Sequence, residues 1–271
     1  MNNFISRTIT GAIFVMLIIA SILLHPVFFA SLFLVFCVLG TLEFYKIVAS
    51  ENIQPQKILG IIIAIYWYLS FTFIISFGLS IIFIIPLVFL VFIFELFRNK
   101  PNPILNIAVT LIGFLYIAFP LSLLNFIPIF LENHYELLLG IFVLTWTNDT
   151  FAYLTGIKLG KHKLFERISP KKTWEGSIGG LIFSLICACI FSYFYKDSSI
   201  LVWIGMAIII VTTGTLGDLV ESMFKRSLQI KDSGSILPGH GGILDRLDAM
   251  LIATPFVFVY LICLYYFQLI N

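Results

Sequence analysis

Nine apolar runs, each close to the length that crosses a bilayer, dominate this sequence. A spanning helix needs roughly 20 mostly apolar residues. Such runs lie at about 8–24, 27–48, 57–76, 80–97, 104–131, 137–158, 177–195, 200–224 and 244–269. In lipid every backbone N–H and C=O must find its partner internally, so each run is expected to be a helix. The predicted fold is therefore all-α: a polytopic integral membrane protein with about nine transmembrane helices. Charged residues make up only 11% of the chain, against roughly 25% in a soluble domain. Pro120 is expected to kink the fifth span. With no internal repeat or low-complexity stretch, residues 1–271 read as a single membrane domain.

Charge sets the orientation. With nine spans the connections alternate sides, and 15 of the 16 Lys and Arg residues then share one side, with Lys196 alone on the other. The positive-inside rule makes that side cytoplasmic, so the N-terminus is expected to be cytoplasmic and the C-terminus extracytoplasmic. Arg7 ahead of an apolar run resembles a signal peptide. No small-x-small cleavage site follows, so a retained first span is expected. Cys37, Cys187, Cys189 and Cys263 lie in apolar runs without CxxC or metal-ligand spacing and read as apolar fillers. No basic run with interleaved aromatics occupies a polar segment, so no nucleic-acid partner is expected.

Acids inside membrane spans are costly and mark function. Asp149 lies in the sixth run, Asp218 and Glu221 in the eighth, and Asp245 and Asp248 at the start of the ninth. At about 1.5 Å per residue, Asp149 and Asp218 sit on the order of 10–14 Å below the cytoplasmic ends of their spans. Acids from three helices can thus meet in one cytoplasm-facing cavity. Asp218, Glu221, Ser222 and Lys225 follow i, i+3, i+4, i+7 spacing and share a helix face, as do Asp245 and Asp248. Grouped carboxylates repel unless a cation lies among them. Oxygen-only ligands suit Mg²⁺, with substrate phosphates completing its shell. The alternative is a set of buried salt bridges to Lys225, Arg226 and Arg246. Glu43 and Glu95, near cytoplasmic helix ends, read as solvated.

Lys171, Lys172, Lys225, Arg226 and Lys231 lie in the two polar cytoplasmic segments, 159–176 and 225–243, and are candidate phosphate binders. Gly239, Gly241 and Gly242 flank His240, so the backbone there can bend closely around a ligand. Acids for a divalent ion, bases for phosphates and a glycine turn together suggest a nucleoside triphosphate. Lys158, Lys161 and Lys163 read as topology-setting charge, His25 and His134 as loop residues, and His162 as solvated. The stretch from Gly156 to His162 imitates a P-loop. Its glycines are one residue too close, and His162 stands where Ser or Thr would bind Mg²⁺.

Residues 222–248 resemble the signature of the phosphatidate cytidylyltransferases. The matching residues are Ser222, Lys225-Arg226, Lys231-Asp232, Pro238-Gly239-His240-Gly241-Gly242 and Asp245-Arg246-Leu247-Asp248. Ser169-Pro170-Lys171-Lys172-Thr173-Trp174-Glu175-Gly176, and Asn148-Asp149 ahead of Tyr153 and Gly156, are similar to further stretches of that family. The specific resemblance covers about 145–250, the expected catalytic region. It implies a multi-helix membrane fold, a homodimer, CTP as donor, phosphatidic acid as acceptor, and Mg²⁺ with K⁺ as a second cation. It also implies a bacterial inner-membrane location with the active site facing the cytoplasm. Asp218 and Asp245 are implied metal-centre ligands, with Asp248 and Glu221 as further candidates. Lys225 and Arg226 are expected to act in catalysis. The segments 171–176, including Trp174, and 225–242, with Asn148 and Asp149, are expected to shape the substrate pocket.

Two rival classes remain. A transporter would carry polar residues through to the far side, whereas 200–211 and 251–264 are apolar. A CTP-using polyprenol kinase would transfer the γ-phosphate and release CDP.

Overall fold

The computed structural model describes residues 3–72, 77–131, 134–196, 198–234, 236 and 241–268. Helices α1 (Asn3–Leu24), α2 (Pro26–Val48), α3 (Lys57–Thr72) and α4 (Phe77–Arg98) come first. Next are α5 (Pro103–Gly113), a π-helical turn (Phe114–Ala118) and α6 (Phe119–Phe130), which run on as one helix. Helix α7 (Tyr135–Leu159) leads into strands β1 (Lys163–Phe165) and β2 (Ser169–Thr173), followed by α8 (Trp174–Phe194), α9 (Ile200–Ser227) and α10 (Leu244–Tyr266). Every apolar run falls on a helix over its described residues, with 73–76 and 269 lying outside them. Among the described residues, six helices are long and apolar enough to cross a membrane: Pro26–Val48, Pro103–Phe130, Tyr135–Leu159, Trp174–Phe194, Ile200–Ser227 and Leu244–Tyr266.

The helix starts follow from local chemistry. Pro26 and Pro103 stand in the first turns of α2 and α5, where a missing N–H costs nothing. Thr173 caps α8 by accepting a hydrogen bond from the Gly176 N–H at 3.2 Å. The expected distortion at Pro120 takes the form of the π turn just before it. A proline ring clashes with the carbonyl four residues back, and a widened turn relieves that clash. An antiparallel β1–β2 hairpin, pairing Lys163 with Thr173 and Phe165 with Ser169, interrupts the otherwise helical element order.

The contacts group into two compact units. The first comprises Met1–Phe126 and Asp232–Leu247, and the second Ile127–Lys231 and Asp248–Asn271. In the first unit Tyr45 of α2 is fully buried and donates to the Thr110 carbonyl at 2.6 Å. Gly60 and Gly113 make room for its ring, since a Cβ on either would lie under 3 Å from it. Glu95 is buried rather than solvated, at 5% exposure. It accepts hydrogen bonds from Gln56 Nε2, Asn106 Nδ2 and Arg98 Nη1, each at 2.7 Å. Glu43 is likewise buried. A helix end on a polar connection need not be open to water when loop and helix side chains fold over it.

In the second unit α7 and α8 pack closely through glycines of α8. A Cβ at Gly179 would lie 2.3 Å from Thr155 Oγ1, and one at Gly180 2.3 Å from Asn148 Oδ1. Small residues at such a seam let two helix backbones approach without a large apolar core. The approach sets α7's polar residues directly beside the first turns of α8.

Candidate active site

A cavity of about 590 Å³ opens in the second unit, walled by α7, the hairpin, α8 and α9. Helix α7 contributes Asn148, Asp149, Ala152, Tyr153, Gly156 and Ile157. The hairpin supplies Lys163, Lys171, Lys172 and Thr173, α8 supplies Gly176 and Ser177, and α9 supplies Gly214, Thr215 and Asp218. The α7 set recurs at three- and four-residue intervals from Asp149, so one face of that helix turns to the cavity. Gly214 and Asp218 repeat the pattern on α9.

Charge meets charge across this space. Lys172 Nζ lies 2.5 Å from Asp218 Oδ2, both groups partly exposed. The Ser222 hydroxyl donates to Asp218 Oδ1 at 3.2 Å. One turn along, Lys225 Nζ lies 2.5 Å from Glu221 Oε2, a buried carboxylate. Asp248 bears the electrostatic influence of Asp218, Glu221 and Asp149. Three acids of the second unit thus bear on Asp248, and two of those three, Asp218 and Glu221, are ion-paired to Lys172 and Lys225. The salt-bridge alternative is realised in part, through Lys225, whereas Arg226 takes another role and Lys172, outside that alternative, supplies the second pair. Arg226 is exposed and donates to the Ile230 carbonyl at 3.2 Å, closing the end of α9. Among the described residues, no three His, Cys, Asp or Glu side chains form a group able to hold a metal by themselves.

The remaining predicted residues are distributed as follows. Trp174 is 56% exposed and borders an open groove with Lys161, His162, Lys163, Glu166, Glu175 and Ile178. His162, though exposed, shares a hydrogen bond with Glu175, Nδ1 to Oε1, at 2.6 Å. Glu175 also accepts the N–H groups of Lys161 and His162, tying the entry of the hairpin to α8. Lys231 is exposed. His240 lies outside the described residues. Gly241 adopts φ +85°, and a Cβ there would meet Asp245 Oδ2 at 2.4 Å. Asp245 belongs to the first unit. Its Oδ2 accepts from the Ser233 N–H at 2.9 Å, the Ser233 hydroxyl at 3.0 Å and the Gly242 N–H at 2.8 Å.

Lys163, Ser177 and Thr215 line the cavity outside the motifs, beside Tyr153 of the Asn148-Asp149 stretch. Helical spacing from Asp149 reaches Tyr153, and spacing from Asp218 reaches the turn holding Thr215. Lys163 carried no such signal, because its place depends on the hairpin.

The chain resembles several phosphatidate cytidylyltransferases. That of Staphylococcus aureus (strain COL) is 52% identical over 131 residues, 48% of this chain and 49% of the relative. That of Haemophilus influenzae is 47% identical over 125 residues, covering 44% and 43%. That of Staphylococcus saprophyticus is 43% identical over 168 residues, covering 61% and 60%. The first of these matches spans about half the relative's length. A model of the cytidylyltransferase family matches residues 5–264, nearly the whole chain, and the protein belongs to that family.

Proposed function

We propose that this protein is a phosphatidate cytidylyltransferase of the bacterial inner membrane. It joins the CMP moiety of CTP to phosphatidic acid, giving CDP-diacylglycerol and pyrophosphate. The observation that carries the reading is the cavity itself. In a chain of this family, three lysines face Asp149 and Asp218 in a space of about 590 Å³.

The chemistry asks for positioning and charge neutralisation. A phosphate monoester has a second pKa near 6, so phosphatidate is largely dianionic at neutral pH. One of its oxygens attacks the α-phosphorus of CTP without a general base. The bond to the β-phosphate breaks, and pyrophosphate leaves with the bonding electrons. Lys163, Lys171 and Lys172 are placed to hold phosphate oxygens at the cavity wall. Lys225 and Arg226 serve the leaving group from the end of α9. When phosphates enter, Lys172 exchanges its contact with Asp218 for them and leaves that carboxylate for a cation.

The acids fit Mg²⁺. Asp218, Asp248 and Glu221 are hard oxygen donors that outnumber their paired lysines, and the family resemblance implies Asp245 as a further ligand. An incomplete protein cage is what Mg²⁺ commonly uses, since it keeps waters and substrate phosphates in its shell. When bound, the ion neutralises charge that develops on the leaving pyrophosphate, with K⁺ as a second cation. Nine spans, a cytoplasmic N-terminus, an extracytoplasmic C-terminus and a homodimer complete the proposal. The lipid tails stay in the bilayer while the phosphate head enters the cytoplasm-facing cavity.

The test uses purified protein, phosphatidate and CTP labelled at either the α- or the γ-phosphate. Label from the α position should enter the lipid, with pyrophosphate released. Entry of γ-label instead would make the protein a kinase and refute the reading.

A further inference from the structure

Glu43 stands outside every motif that pointed to the reaction centre, yet its carboxylate sits against the segment that bears Asp245. It lies near the C-terminal end of α2 and is 5% exposed. Its Oε2 accepts from the Leu244 N–H at 3.1 Å and from the Ser233 hydroxyl at 3.5 Å. These donors are 201 and 190 residues away in sequence. Leu244 opens α10, so its N–H is one of the donors that a helix start leaves without an intrahelical acceptor. A carboxylate there also opposes the positive end of the helix dipole. Glu43 therefore caps α10 from a distant helix, one residue before Asp245.

The opposite oxygen, Oε1, is buried without a hydrogen-bond partner among the described residues. It is wedged between two glycines. A Cβ at Gly234 would lie 2.5 Å from it, and one at Gly242 2.7 Å. Ser233 then links the two acids. Its hydroxyl is 3.0 Å from Asp245 Oδ2 and 3.5 Å from Glu43 Oε2, and its N–H also donates to Asp245. Leaving one buried oxygen without a donor is costly, and a carboxylate is an expensive way to fill a helix seam. The arrangement is explained if the same group must hold both Leu244 and Ser233 in place.

We propose that Glu43 is a positioning residue for the reaction. By capping α10 and holding Ser233, it fixes the orientation in which Asp245 presents its carboxylate. The inference rests on Asp245 serving the cytidylyl transfer proposed above. Gly234 and Gly242 belong to the device, because any larger residue at either would displace the carboxylate.

The test compares Glu43→Ala, Glu43→Gln, Ser233→Ala and the Glu43→Ala/Ser233→Ala pair. Cytidylyl transfer is measured against CTP and Mg²⁺ concentration, and amide hydrogen exchange is followed over 241–247 without substrates. Glu43→Ala should lower kcat about tenfold with little change in KM for CTP. It should also raise the Mg²⁺ needed for half-maximal rate and speed exchange at Gly242 and Leu244. Glu43→Gln keeps an acceptor for both donors and should restore the protection and most of kcat. The double variant should be no slower than the slower single, because both substitutions cut one linkage. If Glu43→Ala does not fold, Ser233→Ala carries the test: it should lower kcat and raise the Mg²⁺ needed for half-maximal rate, and normal values there would overturn the inference. Normal kcat and Mg²⁺ response beside fast exchange would reduce Glu43 to a helix cap and overturn the inference, as would strictly additive losses. A wild-type protein that transfers no CMP would refute the functional reading instead, before any variant is compared.

Discussion

The two units hold their carboxylates in opposite ways. In the first, Glu43 and Asp245 are held by backbone N–H groups and a hydroxyl, and Glu95 by two amides and an arginine. In the second, Asp218 and Glu221 are matched to lysines at 2.5 Å. Amide and backbone donors come with fixed directions and stay where the fold puts them. A lysine is a flexible point charge that can leave for a phosphate or yield its carboxylate to a cation. The first kind of site holds a shape, and the second can exchange partners during a reaction. The difference predicts which substitutions should alter rate and which should alter stability.

The sharpest contrast is expected at Asp218. Asp218→Asn keeps the side-chain shape and removes the charge that Lys172 and a cation would share. Activity should fall by at least about a hundredfold, because each 1.36 kcal/mol of lost transition-state stabilisation is about tenfold in rate. Stability should barely move, since partly exposed ion pairs contribute little. The measurement is initial rate against Mg²⁺ concentration, beside thermal unfolding in detergent. A near-normal rate with an unchanged Mg²⁺ response would place Asp218 with the shape-holding acids.

Much of this contrast was legible in the sequence, and its limits are physical. Helical spacing put Asp218 and Glu221 on one face with Lys225, and the Glu221–Lys225 pair follows from i, i+4 geometry alone. The apolar runs located the helices because period and length are local properties. Glu43 and Glu95 read as solvated helix ends in the sequence, whereas their partners, Ser233 and Leu244 for one and Gln56 and Asn106 for the other, come from distant parts of the chain. The hairpin escaped notice because five residues of Ser169–Thr173, with two lysines and a proline, carry no alternating apolar pattern. Lys172 was named as a phosphate binder, but its contact with Asp218 depends on how the hairpin folds against α9.

A middle-sized effect of the opposite kind is expected at Glu95. Gln56 Nε2 donates to Glu95 and to the Val91 carbonyl, and Asn106 Nδ2 to Glu95 and the Pro101 carbonyl. Each amide therefore has both of its N–H groups satisfied. Glu95→Gln turns one acceptor into a donor facing another donor. The cost should be about 1–3 kcal/mol of stability, read as a lower thermal midpoint. The kcat and KM of the protein that remains folded should match wild type. A selective loss of kcat at unchanged stability would break the division between the two kinds of carboxylate.

The smallest expected effect is at Lys163, and it tests whether the hairpin belongs to the site or merely sets topology. Lys163 is exposed on β1 yet lines the cavity together with Lys171 and Lys172. Unlike Lys172, it has no acid at ion-pair distance among the described residues. Removing it should therefore cost no folded-state contact and act only on incoming phosphate. An exposed lysine attracts phosphate through water and salt, so Lys163→Ala should raise KM for CTP about two- to fivefold and leave kcat unchanged. The penalty should shrink as ionic strength rises, because screening weakens exposed charges first. Lys161→Ala provides the contrast, since Lys161 borders the open groove rather than the cavity. Equal KM values in both variants at low salt would return Lys163 to a purely topological role. A fall in kcat at Lys163 would mean that the hairpin holds the reacting phosphates more tightly than an exposed rim residue can explain.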